Sequence, residues 1–429
     1  MRQLLNDFSN PDRSYRTLHV AGSKGKGSTS AFAASILHSS GLRTGLYSSP
    51  HVVSYRERVQ VTDGCASDEL QIEQFERIRR YIDARRGRVP ERELPTTFEL
   101  LTLFAFLVFE AARCDAAVIE VGLGGRLDAT SLVRPEAAII TPIELEHTEF
   151  LGTTVRSIAA EKGAIIKRNT PVFVAPQRDE AMKVFERIAE LRRAPLYRLD
   201  SMDTLEAKPT PQGTATTFTL PGHRTITATL KLIGKVQAQN AALAAWASLE
   251  AFSEVKLRSV KDGIETAWLP GRSEIVRPSD RLSLLLDGAH TEASIDLLCE
   301  TVESLFPSRA HRVAIFGSVR GKAHPAMLAR LHETFAAIVI CRPGTFKPSD
   351  PELLLQSCRD VGAECVRIDG AREAIDFARS RLPEATGVIA VTGSFYLVGK
   401  ITQELPGATA PTFDDTPSTG SAKDPHECH

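Results

Sequence analysis

No CxxC pair occurs in this sequence, and its seven cysteines, at 65, 114, 299, 341, 358, 365 and 428, are scattered and odd in number. That pattern argues against a disulfide framework and fits reduced thiols in a cytosolic protein. Net charge is nearly absent as well. The formal balance is −1, which removes any global electrostatic reason to expect nucleic acid or a membrane surface. Long apolar runs are missing: Leu100 to Phe109 is the longest, about half of the roughly 20 residues a bilayer requires, so it reads as a buried helix. The opening MRQLLNDFSNPDRSYR lacks the apolar core and small-residue cleavage site of a signal peptide, and no internal repeat is visible. What is there is ordinary for a globular protein, with 42% hydrophobic and 24% charged residues. The 429 residues exceed what one core usually holds, so two domains are expected. The expected setting is the cytoplasm. The expected partners are small molecules, with no nucleic acid and no membrane, and the chain is expected to act as a monomer.

The chain is organised around Leu18 to Ser30, LHVAGSKGKGSTS, between an apolar run and an alanine-rich helical segment. Glycines and serines around Lys26 let backbone N–H groups turn inward, and the following helix points its positive end at the same spot. Lys26 can reach the outer phosphates of a nucleotide, and Ser28 or Thr29 can offer a hydroxyl to magnesium. The spacing, GxxGKGS, departs from the common GxxxxGK[ST]; the alternative is a glycine-rich turn with no ligand. A helix over Ser28–Ser40 ends at Gly41, and TGLYSSPH forms a strand and turn whose Ser48 and Ser49 either satisfy turn amides or meet a ligand. After a charged helical stretch, Ser67 to Arg88, comes a core helix capped by Thr96 or Thr97 with Glu99 in its first turn. Phe98 at its entry packs or stacks on a flat ligand, and spacing alone points to packing.

A buried strand, Ala116 to Val121, carries Glu120 near its end. Burying a lone glutamate is costly unless magnesium or an arginine meets it, and Arg126 is the nearest simple partner. In ELEHTEFLG, His147 lies among Glu144, Glu146 and Glu149; the pattern alone reads as a solvated turn rather than a metal ligand. Likewise Lys162 beside Glu161 reads as an ordinary lysine on a solvated helix face. Residues Pro209 to Thr229 look like a small antiparallel excursion, and a small-residue helix is entered near Gln237 to Asn240. WLPGRSEIV, residues 268–276, marks the expected domain boundary. Beyond it, LSLLLDGAH, HRVAIFGSV, AAIVICRPG, ECVRIDG and GVIAVTGSFYLVG alternate with helices, which means a second, smaller open α/β domain. Asp287, Gly288 and His290 fall at a strand's carboxyl end, where a ligand is met. From Pro406 onward the composition reads as a disordered tail.

These segments, in order and spacing, resemble the folylpolyglutamate synthases and dihydrofolate synthases within the Mur-type amide ligases. The matching motifs are VAGSKGKGS, SSPH with YRERV, TTFELLT, EVGLGGRLDAT, EHTEFLG with AAEKGAIIK, QAQNAALA, LPGRSEI, LLDGAH and VTGSFYLVG. The resemblance implies a Mur-ligase-like α/β fold: an ATP-binding parallel-sheet domain over 1–270, a glutamate-ligase-type domain over 271–405 and a tail over 406–429. It implies that a substrate carboxylate attacks the γ-phosphate of ATP, giving an acyl phosphate that the amine of glutamate then opens. Phosphoryl transfer of this kind needs positioning and charge neutralisation more than covalent help from the protein. By resemblance, Gly22, Ser23, Lys24, Gly25, Lys26, Gly27 and Ser28 cradle the triphosphate, with Asn240, Arg272, Asp287 and His290 as further ATP contacts. Ser28, Ser49 and Glu120 resemble magnesium ligands and His147 a ligand of a second Mg2+. Lys162 matches a lysine that the family carbamylates, and Lys26, His147 and Lys162 form the implied catalytic set. Thr96, Phe98 and Asp128 fall where dihydropteroate is held.

The chain also departs from the family pattern. Ser23 and Lys24 replace the threonine and asparagine of GTNGKGS, Thr291 and Glu292 follow DGAH, Val236 precedes Gln237 where HQ is usual, and Gly321, Lys322 and Ala323 stand where DKD is expected. Two alternatives therefore stay open: a ligase for a different carboxylate and amino acid, and a nucleotide-binding relative without catalysis.

Overall fold

The computed structural model describes residues 1–405 except 63–65, 203, 223, 280–281, 346 and 384–385; the expected tail over 406–429 lies outside the described residues. After a short helix α1 (Arg2–Asp7), β1 (Arg16–Ala21) runs into the glycine-rich loop and α2 (Lys26–Ser39). Then follow β2 (Thr44–Tyr47), β3 (Val59–Val61), α3 (Asp68–Arg85), α4 (Thr97–Ala111), β4 (Ala116–Glu120), β5 (Ala137–Ile140), α5 (Thr148–Leu151), α6 (Val155–Gly163), β6 (Val172–Val174), α7 (Asp179–Arg192) and β7 (Leu196–Arg198). Their strands form one seven-stranded sheet in the order β3-β2-β4-β1-β5-β6-β7. All neighbours are parallel but β2 and β3. Parallel strands with helices on both faces are buried on both faces, which is why β5 and β4 as far as Ile119 read as apolar runs; β1 is buried from Thr17 onward as well, and its enclosed His19 meets the Thr130 hydroxyl at 2.9 Å.

The short β7 and the antiparallel β3 were not expected; three-residue strands carry too little pattern to announce themselves. Thr96, not Thr97, caps α4: its hydroxyl accepts the Glu99 N–H while the Glu99 carboxylate accepts the Thr96 N–H, two otherwise unpaired donors satisfied reciprocally. By length and composition Glu91–Ala111 is apolar enough to cross a membrane. Leu103, Phe106 and Phe109 are nevertheless enclosed in a core shared with Tyr47, Val59 and Ile78.

A three-stranded antiparallel sheet follows, β8 (Thr204–Thr210), β9 (Gly213–Leu220) and β10 (Arg224–Leu230), then α8 (Lys235–Ala251) and α9 (Leu257–Thr266). Phe218, Ile226 and Leu230 of that sheet pack with α2, α8 and α9 over one face of the large sheet. The next strands are β11 (Glu274–Ser279) and β12 (Leu282–Leu286), followed by α10 (Glu292–Leu305), β13 (Arg312–Phe316), α11 (His324–Thr334), β14 (Ala337–Ile340), α12 (Pro351–Asp360), β15 (Cys365–Arg367), α13 (Ala371–Ser380), β16 (Gly387–Thr392) and α14 (Phe395–Thr402). Their six-stranded sheet has the order β11-β12-β16-β13-β14-β15. The five expected strands are all present, and β11, from the stretch read as linker, adds an antiparallel edge. Cores on both faces of this sheet hold α10 to α12 on one side and α13 with α14 on the other.

Candidate active site

Three strand ends of the large sheet meet where the chain direction of successive connections reverses, the position at which open α/β sheets bind ligands. The loop after β1 carries Gly22 to Gly25, the end of β4 carries Glu120, and the end of β5 leads to Glu146 and His147. Gly25 is the N-cap of α2 in a left-handed conformation (φ 84°), with no side chain capping the helix and no acid in its first turn. A Cβ on Gly25 would lie 2.5 Å from Asn240 Oδ1, so α8 braces the loop from behind and only glycine fits. The first-turn N–H groups of α2 are thus left to an external anion.

A cavity of about 1060 Å³ opens over these strand ends. Ser23, Lys24, Gly25, Lys26 and Gly27 line it together with Ser49, Thr96, Phe98, Glu120, Asp128, His147, Arg272 and His290. Of the residues picked from the sequence, the structure therefore brings most to one space, while Gly22, Ser28, Asn240, Lys162 and Asp287 stand behind its wall. Thr29, the alternative hydroxyl to Ser28, is fully buried, whereas Ser28 follows the cavity-lining Gly27.

The electrostatics of the loop are unusual. Lys26 Nζ curls back onto the Gly22 carbonyl at 2.9 Å and the Ser23 carbonyl at 3.3 Å. Lys162 Nζ donates to the same Gly22 carbonyl at 2.8 Å and pairs with Glu146 Oε1 at 2.8 Å. Lys162 is 1% exposed, which corrects its reading as a solvated surface lysine. Burial, and then the neighbouring Lys26 charge, push it down to about 8. Glu146 shows the reciprocal effect: burial would raise it, but Lys26 and Lys162 hold it below the usual carboxylate range. Glu146 was read only as one of three glutamates around His147. A lysine enclosed on α6 requires a carboxylate partner, and that need was the available signal. His147 itself is exposed, in a left-handed turn (φ 46°) opening α5.

Glu120 is 2% exposed and among the described residues accepts one hydrogen bond, from the Ser49 N–H at 3.1 Å. Burial raises it, opposed by Lys26, the Ser49 N–H, Arg272 and Arg58. Arg126 is not its partner: that guanidinium turns outward to Glu161 at 2.9 Å. A buried carboxylate with so few donors fits a divalent cation. Among the described residues no three His, Cys, Asp or Glu side chains converge to hold a metal, so magnesium here would rely on Glu120, hydroxyls, phosphate oxygens and water, which is how Mg2+ usually binds.

On the opposite wall, Phe98 lies over Gly122, where a Cβ would be 2.3 Å from its Cζ. Asp128 accepts the N–H of Gly122 at 3.1 Å, Leu123 at 2.9 Å and Thr130 at 2.9 Å, and the Thr130 hydroxyl at 2.6 Å. It thereby fixes the glycine-rich turn. From the second sheet, Arg272 lies over Phe395 at 4.2 Å, and Asp287 holds Ser273 and the Ala289 N–H, each at 2.8 Å. Burial pushes His290 down to about 4, so it is a neutral imidazole. The departure Thr291 has a structural cause, since its hydroxyl caps α10 by accepting from the Ser294 N–H.

Phosphate loop, buried carboxylate and a second α/β unit closing the same cavity define an ATP-dependent ligase of the Mur type. Residues 20–248 match the Mur ligase middle domain, and residues 271–395 match the Mur ligase, glutamate ligase domain. The chain is 31% identical to a dihydrofolate synthase/folylpolyglutamate synthase of Bacillus subtilis, over 94% of each chain. It superposes on a Mycobacterium tuberculosis folylpolyglutamate synthase complexed with ADP at a TM-score of 0.85, with 28% identity over 94% of this chain and 92% of the other. An E. coli FolC in complex with DHPP and ADP superposes at a TM-score of 0.79, with 29% identity over 94% of this chain and 91% of the other. The chain belongs to the folylpolyglutamate synthase and dihydrofolate synthase family.

Proposed function

We propose that this ligase adds L-glutamate to dihydropteroate, to folates, or to both, with ATP as the driving nucleotide. One observation carries the reading: a single cavity holds a phosphate loop and the buried Glu120 on one side and the Phe98–Asp128 wall on the other, with Arg272 and His290 of the second unit closing it. A flat heteroaromatic acid on that wall would direct its carboxylate toward the phosphate end. Attack of that carboxylate on the γ-phosphate forms an acyl phosphate and releases ADP. The glutamate amine then attacks the acyl carbon, and phosphate leaves as the amide forms. Positioning and charge neutralisation by Lys24, Lys26 and Arg272 do most of the work in such a transfer.

In this reading Ser28, Ser49 and Glu120 would hold one Mg2+, which would supply charge neutralisation to the nucleotide's phosphates, and His147 would contribute to a second. Lys162 is proposed to carry a carbamate. Its supporting feature is the depressed affinity for a proton: near pH 7 an amine at about 8 is neutral about 300-fold more often than an ordinary lysine, and only the neutral amine adds CO2. The carbamate would face Glu146, a pairing that needs a cation between them. Asn240, Asp287 and His290 support the nucleotide, and Thr96, Phe98 and Asp128 the pterin. The proposal extends to domains over 1–270 and 271–405 and to a cytoplasmic monomer. ADP release in the presence of dihydropteroate or tetrahydrofolate, glutamate and Mg2+ tests it. Glutamate-dependent release that Lys26→Ala abolishes is expected; no turnover with any pteroate or folate sinks the reading.

A further inference from the structure

We propose that Arg58 grips a carboxylate of the acyl substrate inside the reaction cavity, and that His51 is the positioning residue that aims it. The inference rests on the reading of the chain as a ligase of pteroates or folates. The β2–β3 connection carries Ser49 and, beyond it, His51, Tyr55, Glu57 and Arg58. Glu57 sets its shape: the carboxylate accepts the backbone N–H of Val52 at 2.6 Å, Val53 at 2.7 Å and Ser54 at 2.7 Å. Those bonds occupy both of its oxygens, so the acid next in sequence to Arg58 is turned away from it.

Arg58 donates Nε–H to His51 Nδ1 at 2.8 Å. Its guanidinium also lies 5.4 Å from the Tyr55 ring centroid, and the Tyr55 and His51 rings are 4.3 Å apart. An uncharged acceptor on Nε and a ring beneath fix the plane of the guanidinium without neutralising it. Among the described residues no carboxylate pairs with Arg58, and its two terminal NH2 groups have no hydrogen-bond acceptor. His51 and Arg58 line the cavity alongside Ser49, Phe98 and Glu120, and the Arg58 charge is felt at Glu120. An oriented guanidinium with two unspent NH2 groups is the complement of a carboxylate's two oxygens. The phosphate end already has Lys24, Lys26 and Arg272. Arg58 instead immediately precedes Val59, which pairs with Tyr47, and the Tyr47 ring lies 6.3 Å from that of Phe98; since the proposed function puts the acyl substrate's rings at Phe98, the anion assigned to Arg58 is that substrate's own carboxylate.

Titration calorimetry of the full-length protein with ADP and Mg2+ tests this using two probes, pteroate and the same molecule lacking its benzoate carboxylate. Arg58→Gln should weaken pteroate about 30-fold while leaving the decarboxylated probe within about twofold. His51→Ala should weaken pteroate about tenfold, and His51→Gln, whose amide oxygen restores an acceptor, should recover most of that loss. Equal losses for both probes would overturn the proposal by showing that Arg58 only shapes the pocket. Unchanged pteroate affinity, with the effect confined to the KM for glutamate, would overturn it too. Wild-type protein that binds pteroate but never turns it over refutes the proposed function alone, and the two-probe comparison still decides the role of Arg58. Wild-type protein that binds no pteroate refutes both.

Discussion

Raising the pH from about 7 to about 9.5 should stabilise this protein against urea through Lys162. Its amine sits at about 8 in the folded chain, against an ordinary value of 10.5, because burial and the Lys26 charge disfavour the ammonium. Between those two values the unfolded chain binds more protons than the folded one, so stability rises with pH across that window and is flat below it. The full penalty below about pH 8 is about 3 kcal/mol, of which about 2 kcal/mol is recovered by pH 9.5. Lys162→Met removes the titrating group and should flatten that part of the profile. The assay is urea denaturation of both proteins at half-unit pH steps in CO2-depleted buffer, since a carbamate would remove the amine from titration. Parallel curves for the two proteins would refute the reasoning, because other groups would then account for any rise.

Glu120→Gln should abolish Mg2+-dependent ADP release yet raise stability by about 1 kcal/mol at neutral pH, since burial disfavours the charged form it replaces; a less stable variant in a denaturant melt would contradict this. Gly25→Ala should cost about 2 kcal/mol or more from its left-handed φ and the Asn240 oxygen at 2.5 Å, and Asn240→Ala in the same chain should return part of it in a double-mutant cycle. Asp128→Ala should lose about 3 kcal/mol with the release of four hydrogen bonds and weaken pteroate binding. An unchanged melting temperature would show that the turn holds without it.

What could be read before the fold was known follows from how local each signal is. The loop from Gly22 to Ser28 declares itself because glycines, lysine and hydroxyl are contiguous and flanked by an apolar strand and a helix. β4, β12 and β16 declare themselves because strands buried on both faces are almost wholly apolar, broken here only by Glu120, Ser283 and Thr392. The Lys162–Glu146 pair joins α6 to the turn before α5, and no periodicity links such positions. Sequence adjacency pointed Glu120 toward Arg126 and Lys162 toward Glu161; in the fold Arg126 and Glu161 pair with each other instead, leaving both buried groups to the loop. The antiparallel β11 was hidden for a different reason. Proline and glycine before it resemble a linker, and its pairing with β12 is a tertiary choice that intrinsic preference does not record.

The Gly22 carbonyl accepts hydrogen bonds from both Lys26 and Lys162, so one oxygen makes two otherwise separate equilibria interdependent. A triphosphate that draws Lys26 off this oxygen, and adds negative charge beside Lys162, raises the affinity of Lys162 for its proton. Nucleotide binding near pH 8 should then take up a fraction of a proton, measurable as a binding enthalpy that changes with the ionisation heat of the buffer. Reciprocity requires the converse: acidification through the same range must tighten the nucleotide by the same free energy. A loop built to hold phosphate thereby also reports proton activity.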